Sequence, residues 1–275
     1  MIDDSVLEAI LRSGVTLPAP SRSLLQLQAA MADERAGPRE LATIAARDPV
    51  LVGALMRIAN SPAFYHQGGA RSLVDVVARL GGTKTLAIAV GTAMRAAISG
   101  VDQAIVDEIW ERSAHVASRA LHAARRSTHR ELGDLAYFAA LVHDAGICVL
   151  LRRHPGQVGA LKGLRAAEFD AAAVALDAAT GTAHAAVGAI VARNWKLPGV
   201  VADAIRIHHL PPETLVPGEE AQLIAVLLAT GRRAVSGATG EWLGWEPLAA
   251  TGLGLDRPMI EAMQDREVGL APGAG

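Results

Sequence analysis

The fold of this chain is constrained most by its many helix-forming residues and by the scarcity of strand patterns. Alanine and leucine dominate, and aromatic residues make up only 3% of the sequence. Alternating runs of β-branched residues, which are typical of strands, are hard to find. Because alanine and leucine favour helices, we predict an all-α protein with about a dozen helices. A chain of 275 residues with 51% hydrophobic residues also has enough apolar side chains to form an ample core.

Capping residues mark where several of these helices begin and end. Asp48, followed by a proline, predicts the start of a helix that ends at Asn60. Ser72 and Asp75 have the spacing of a capping box at the start of the next helix. Two glycines end that helix, and we predict that Thr83 caps the one that follows. These helices belong to an N-terminal helical lobe.

A glycine break near the hundredth residue separates this lobe from the rest of the chain. We predict an N-terminal helical lobe at residues 1–100, a second helical lobe at 101–240 and a C-terminal extension at 241–275. Asp102 is expected to cap a long helix that runs to about Arg126. The extension is rich in glycine, and we expect it to be partly flexible.

Charge and targeting signals narrow the classes of protein to which this chain can belong. The sequence has 28 acidic and 26 basic residues and contains no basic block, so we expect no binding to nucleic acid. Its first residues are acidic where a signal peptide needs basic ones, and its single cysteine, Cys148, can form no internal disulfide. Apolar runs such as 223–229 are shorter than the roughly 20 residues that a membrane span needs. We therefore expect a cytoplasmic protein without a membrane segment.

Five side chains of the second lobe could converge on a divalent metal ion. They are His143, Asp144, His184, His208 and His209. The first two are neighbours in an apolar stretch predicted to be one helix, so their side chains diverge by about 100° and can share a metal ion only at their common edge. Imidazole and carboxylate ligands suit borderline or hard divalent ions. The alternative is a set of buried histidines that form hydrogen bonds with their neighbours.

A series of short motifs resembles the HDOD family, which is related to the HD metal-dependent phosphohydrolases. The motifs are LPAPSRSLLQL at 17–27, Asp-Pro-x-Leu and Ala-Asn-Ser within 41–64, SLVDVVARLGGTKTLAI at 72–88, WERSAHVASRA at 110–120, the His-Asp pair within 136–150, and Trp-x-Leu-Pro and His-His within 184–209. The resemblance covers residues 15–235. It implies an N-terminal helical lobe packed on an HD-like helical lobe, and members of the family resemble regulatory modules of bacterial signal transduction.

The resemblance also implies roles for individual residues. His143 and Asp144 match the His-Asp pair of the catalytic HD pattern. His184, His208 and His209 match the additional histidines of relatives that bind two metal ions. Where relatives have Trp-x-His-Ser, this chain has Arg112, and an arginine cannot donate a lone pair to a metal ion. Where a closing aspartate is expected, the chain has Thr230, whose neutral hydroxyl replaces a carboxylate poorly.

His115 and Arg112, at and near the position of the lost first ligand, each have two interpretations. His115 lies one helical turn beyond Arg112, offset by about 60° and about 4.5 Å along the axis, and could act as a substitute ligand. A solvated polar stripe that includes His122 explains His115 more simply. Arg112 could attract a small anion such as phosphate, or it could pair with Asp144 while the histidines form internal hydrogen bonds.

The incomplete ligand set favours a signalling or scaffold module that has no catalytic activity and acts through protein partners. A catalytic metal ion needs about three protein ligands and an open coordination position. The remaining residues could hold one weakly bound divalent ion in a degenerate metal pocket, and we assign no other cofactor. The competing hypothesis is a metal-dependent phosphohydrolase or cyclic-dinucleotide phosphodiesterase that uses all five candidate ligands.

Overall fold

A computed structural model describes residues 20–33, 35–61, 64, 69–215, 218–237 and 240–264. Within these residues the chain has 14 α-helices, three short 3-10 helices and no strand, which confirms the all-α prediction. The described chain divides into two compact units, residues 20–96 and 97–264.

The first unit is built from five helices around an apolar core. They are α1 (Arg22–Met31), α2 (Pro38–Ala45), α3 (Pro49–Ala59), α4 (Leu73–Leu80) and α5 (Gly82–Ala97). The predicted cap of α3 is confirmed, because the Asp48 carboxylate accepts hydrogen bonds from the backbone N–H groups of Val50 and Leu51 at 3.0 and 3.1 Å. Leu51 and Leu55 are buried on the inner face of α3, and Val50 is exposed.

The junction between α4 and α5 differs from the prediction. Ser72 caps α4 as expected, and its hydroxyl accepts from the Asp75 N–H at 3.1 Å. Gly81 ends α4 with a φ of 79°, a conformation that favours glycine. The prediction that Thr83 caps the next helix is wrong, since α5 already begins at Gly82 and the Gly81 carbonyl accepts from the Thr85 N–H at 3.1 Å.

The second unit contains nine helices. They are α6 (Gln103–Arg126), α7 (Gly133–Val142), α8 (Ala145–Arg153), α9 (Ala166–Thr180), α10 (His184–Asn194), α11 (Gly199–Ile207), α12 (Glu220–Ser236), α13 (Trp242–Leu253) and α14 (Arg257–Gln264), with 3-10 helices at Arg130–Leu132, Pro155–Ala160 and Pro212–Thr214. Asp102 caps α6 by accepting from the Ala104 N–H at 3.0 Å, as predicted. Pro155 opens the second of these 3-10 helices.

Two glycines let helices of this unit approach backbone to backbone. A Cβ atom at Gly146 of α8 would lie 2.1 Å from the His184 carbonyl oxygen of α10. A Cβ atom at Gly231 of α12 would lie 2.6 Å from the Val116 carbonyl oxygen of α6. These close crossings bring the candidate ligands of α8 and α10 together and place α12 directly beside α6.

The last two helices are part of the second unit, although the sequence placed them in a separate extension. Thr128 donates its N–H to the Leu253 carbonyl at 2.9 Å, and Arg119 donates to the Met263 carbonyl. Residues 265–275 of the predicted C-terminal extension lie outside the described residues. The helical stretch Arg130–Arg153 is long and apolar enough to cross a membrane, but 89% of its most apolar window is buried, as in the core helix of a globular protein.

Candidate metal centre

The His-Asp pair lies at the junction of two helices. α7 ends at Val142 and α8 begins at Ala145, so the prediction of one continuous helix through the pair is wrong. The apolar character of the sequence continues across this turn, and hydropathy therefore gives no sign of it. As a result the two side chains converge: the His143 Nε2 atom lies 3.0 Å from Asp144 Oδ2.

Two further histidines face the same carboxylate. The His184 Nε2 atom lies 3.6 Å from Asp144 Oδ1, and the His208 Nε2 atom lies 4.0 Å from it. All of these side chains are buried. The structure thus brings together His143, His184, His208 and Asp144, which we call the histidine cluster. They come from the α7–α8 junction, the start of α10 and the end of α11.

The other ring nitrogen of each histidine contacts a hydrogen-bond acceptor. The contacts of Nδ1 are His143 to the Ala140 carbonyl at 2.7 Å, His184 to both Asp177 carboxylate oxygens at 2.9 Å, and His208 to the Ile205 carbonyl at 2.5 Å. These acceptors carry no proton, so Nδ1 must donate and, in a neutral ring, Nε2 keeps a lone pair. Partners of this kind orient the histidine ligands of metal ions.

The three Nε2 atoms are buried and have no hydrogen-bond partner among the described residues. The contact of His143 Nε2 with Asp144 is short, but a neutral ring would place two acceptors 3.0 Å apart. A cation at this position, either a proton on Nε2 or a metal ion, relieves the repulsion between them. Buried atoms without partners are rare in native proteins, and here they point to a ligand or to protonation.

Two groups of donor atoms are compact enough for a divalent ion. One consists of His143, Asp144 and His208, and the other of His184, His208 and His209; within each group the atoms lie within 4.8 Å of one another. Imidazole nitrogen with carboxylate oxygen is a donor set that suits zinc, manganese or iron. The residues therefore fit a metal ion. His115, which was considered as a substitute ligand, is in neither group.

Arg112 binds the carboxylate at the centre of the cluster. Its Nη1 donates to Asp144 Oδ2 at 3.1 Å, and its Nη2 donates to Asp170. The guanidinium carbon lies 4.5 Å from the centroid of the Phe169 ring, and the side chain is 8% exposed. The sequence left two partners open for Arg112, a small anion and Asp144. The structure has the internal pair with Asp144. Its permanent positive charge opposes a divalent ion at the same carboxylate.

A second buried arginine extends the ion pairs away from the cluster. Arg232 Nη2 lies 3.3 Å from Asp170 Oδ2 and donates to Glu241 Oε2 at 2.8 Å. Glu241 also contacts His209 Nδ1 at 3.0 Å. We call the resulting chain the charge network: Asp144, Arg112, Asp170, Arg232, Glu241 and His209. It alternates acids and arginines, so each buried charge has an opposite neighbour.

Known proteins show what this arrangement is similar to. The HDOD domain model matches residues 17–211, which is more than half of the chain. The chain belongs to the HDOD family.

Solved structures share this fold. An HDOD domain protein with unknown function from Geobacter sulfurreducens is 25% identical, with a TM-score of 0.62 over 83% of this chain and 76% of that one. A Shewanella amazonensis protein, provisionally described as a metal-dependent phosphohydrolase, is 16% identical and has a TM-score of 0.68 over 96% of this chain and 92% of its own. The second similarity concerns the fold alone.

A curated relative is longer than this chain. An uncharacterised protein of Treponema pallidum (strain Nichols) is 26% identical over 213 residues, which make up 77% of this chain. The chain spans 40% of the length of that relative.

In this HDOD protein the position of the closing acid contributes no ligand. Thr230 is buried, and its hydroxyl donates to the Val226 carbonyl at 2.8 Å. Two residues later Arg232 enters the charge network, and its Nη1 also donates to the His208 carbonyl at 3.1 Å. α12 therefore brings a positive charge to the HDOD site where catalytic relatives are expected to supply an aspartate.

Burial and neighbouring charges shift the pKa values at the site. Burial by itself would raise the pKa of Asp144, but the adjacent His143 and the charge of Arg112 outweigh it and hold this pKa well below its usual range. Burial, reinforced by nearby positive charge including Arg232, lowers the pKa values of His208 and His209 well below the ordinary value. The carboxylate thus stays ionised, and these two histidines stay neutral.

Sequence reasoning missed four residues of the site. They are Asp170, Asp177, Arg232 and Glu241. The first two carried a usable signal, since they lie seven residues apart in a helix, α9, and this spacing places them on one face of it. Arg232 and Glu241 carried none, because long-range ion pairs leave no local pattern in the sequence.

Proposed function

We propose that this protein is a bacterial signalling module of the HDOD type, without catalytic activity, in which Arg112 takes the place of a catalytic metal ion. The observation that supports this proposal is the pair of contacts from the Arg112 guanidinium to Asp144 and Asp170. An arginine stays charged at any physiological pH, so it attracts both carboxylates permanently. It supplies no coordination position at which a water molecule could be activated.

The output of such a module comes through protein partners in the cytoplasm. Support for a role in signalling comes from analogy: a Marinobacter aquaeolei protein provisionally described as a signal transduction protein is 23% identical, with a TM-score of 0.67 over 93% of this chain and 57% of its own. A shared fold does not carry a function by itself. The binding surface therefore has to be found by capture of partners, for example by crosslinking in the native host.

A hydrolysis assay tests the absence of catalysis. Purified protein is incubated with p-nitrophenyl phosphate, bis-p-nitrophenyl phosphate and a cyclic dinucleotide, each with manganese, magnesium or ferrous iron. We expect no turnover above the buffer rate. The matched variants are His143→Ala and Asp144→Asn, which remove candidate ligands. Turnover by the parent that disappears in both variants would show that the protein is an enzyme.

One observation favours a second candidate, a metal-dependent phosphohydrolase. The Nε2 atoms of His143, His184 and His208 are buried without partners and surround one carboxylate. When bound there, a divalent ion would lower the pKa of a coordinated water molecule and polarise a phosphoryl oxygen. The chain's own contribution would be to hold the ion and, through Asp177, to orient His184.

Calorimetric titration with manganese separates the two candidates. Under the first proposal the parent binds manganese weakly or not at all, and the double variant Arg112→His with Thr230→Asp binds it more tightly than either single variant. Tight binding of two ions by the parent would favour the hydrolase. Equal binding by the parent and a correctly folded double variant would mean that these positions are not the lost ligands.

A further inference from the structure

A cleft of about 590 Å³ lies in the unit of residues 97–264, beside the outer end of the charge network. α9, α12 and α13 form its walls. Asp170, His209, Arg232 and Glu241 line the end that meets the network, and Arg233 lines it from the next position of α12. α13 follows the last residue matched by the HDOD model, so part of this cleft is built by sequence outside that match.

Hydrogen-bond donors without acceptors surround the cleft. Arg232 Nε, Arg233 Nη1 and Trp245 Nε1 are buried, and none of them has a hydrogen-bond partner in the part of the chain that the structure describes. All three residues line the cleft, and the Trp245 side chain is fully buried. Leaving buried donors unpaired is unfavourable, so their grouping around one cavity indicates that a ligand supplies acceptors there.

The acids that line the cleft do not provide those acceptors. Asp170 is bound by Arg112 and Arg232, and Glu241 is bound by Arg232 and His209. In these contacts each of the two carboxylates is paired with at least one arginine. Arg233 brings a second positive charge to this lining, and one of its buried nitrogens has no acceptor among the described residues.

The rest of the lining is apolar and includes flat aromatic surface. Ala167, Ala171 and Val174 of α9 lie on one side, and Trp242 and Trp245 of α13 lie on another. Indole rings favour stacked contact with planar groups, and an apolar lining with a few polar groups is typical of small-molecule sites.

We propose that the cleft binds a small organic anion that has one oxyanion group and a flat apolar body. The oxyanion accepts hydrogen bonds from Arg233 Nη1 and Trp245 Nε1, and the apolar body lies against α9 and the indole rings. Charge-assisted bonds of this kind are stronger than neutral ones, so the charge of the ligand controls its affinity. This site does not depend on whether the histidine cluster holds a metal ion.

A matched pair of fluorescent probes tests the proposal on the full chain. The probes are 8-anilinonaphthalene-1-sulfonate, which has a sulfonate on a flat apolar body, and the neutral N-phenyl-1-naphthylamine. We expect saturable binding of the sulfonate at one site per chain. The neutral probe should bind at least about tenfold more weakly, which corresponds to the loss of charge-assisted hydrogen bonds.

Variants locate that binding in the cleft. Arg233→Met should weaken binding of the sulfonate about tenfold and leave the neutral probe unchanged. Trp245→Phe, which keeps an aromatic ring and removes the N–H donor, should weaken the sulfonate by a smaller factor. The control is Arg193→Gln, which changes a partly exposed arginine of α10 that does not line the cleft.

Several results would overturn the proposal. They are equal affinity of the two probes for the parent, binding of the sulfonate without saturation, and unchanged sulfonate affinity in a folded Arg233→Met variant. If that variant does not fold, displacement of the sulfonate from the parent by benzenesulfonate but not by benzyl alcohol supports the proposal. Equal displacement by these two competitors contradicts it.

Discussion

The two compact units of this protein differ in what they bury. Among the described residues 20–96, the buried polar side chains are Lys84 and Thr85. Residues 97–264 bury a much larger set: Arg112, Ser113, Ser127, His143, Asp144, His184, His208, Gln222, Thr230 and Arg232. Both units are helical, so the difference does not arise from the fold class.

The comparison shows which unit contains buried polar groups that stability alone does not require. Burying a charged group costs free energy unless it is paired, and replacing a buried ion pair by apolar residues is often neutral or stabilising. The helices of the first unit bury mainly apolar side chains against one another. The second unit keeps two buried arginines and a buried carboxylate, which indicates that its interior serves a function.

The largest expected effect comes from breaking the charge network. Arg112→Met removes the arginine from the buried Asp144 and leaves Asp170 with Arg232 alone, and we expect a loss of about 3 to 5 kcal/mol in the free energy of unfolding. Guanidinium melts of the protein in EDTA measure it. The control, Arg193→Met, breaks a partly exposed pair with Asp203 and should cost less than about 1 kcal/mol. An equal loss in the free energy of unfolding for both variants would mean that the charge network stabilises the protein no more than an exposed ion pair does.

The apolar core of the first unit should respond to truncation. Leu55 is fully buried, and Leu55→Ala is expected to cost about 2 to 5 kcal/mol through lost apolar contacts and the remaining cavity. Val50, on the same helix, is 67% exposed, so Val50→Ala should change stability by less than about 0.5 kcal/mol. Denaturant melts compare the two. A change below that threshold for Leu55→Ala would place this residue on the surface.

Acid pH should destabilise the second unit through its neutral histidines. The pKa values of His208 and His209 are lowered from 6.5 in the folded state, so below that pH the unfolded chain binds more protons and stability falls. Between about pH 7.5 and 5.5, the two groups together should account for up to about 3 kcal/mol.

Stability measured in EDTA at several pH values checks this expectation. His209→Gln removes one of the two groups and should reduce the dependence by about half. A parent protein with no change in stability over this range would contradict neutral, buried histidines.

Alanine substitutions at two helical glycines should change the stability least, and the two changes should have opposite signs. Gly146→Ala places a Cβ atom 2.1 Å from the His184 carbonyl oxygen and should cost about 1 to 3 kcal/mol as overpacking. Gly53 of α3 has no atom within 4 Å of such a Cβ, so Gly53→Ala should stabilise the protein by about 0.5 to 1 kcal/mol. Thermal melts record both. If Gly146→Ala stabilised the protein, as Gly53→Ala is expected to, the α8–α10 crossing would be looser than described.

Short-range chemistry made much of the helical framework predictable. The caps at Asp48 and Asp102 act within three residues of themselves, and both are where the sequence placed them. The end of α6 at Arg126 also matches its prediction. The candidate ligands His143, Asp144, His184 and His208 were named from the order of motifs along the chain, and the structure brings their ligand atoms together.

Only the tertiary structure decided how the charges at the site are paired. Arg112 contacts an aspartate 32 residues away and another 58 residues away, and no local pattern records such distances. The break between α7 and α8 was also invisible, since both helices are apolar. Capping and helix propensity depend on neighbours along the chain, and the sequence by itself determined them. The partner of a buried charge depends on which helices cross, and at α8 and α10 that crossing rests on the missing side chain of Gly146.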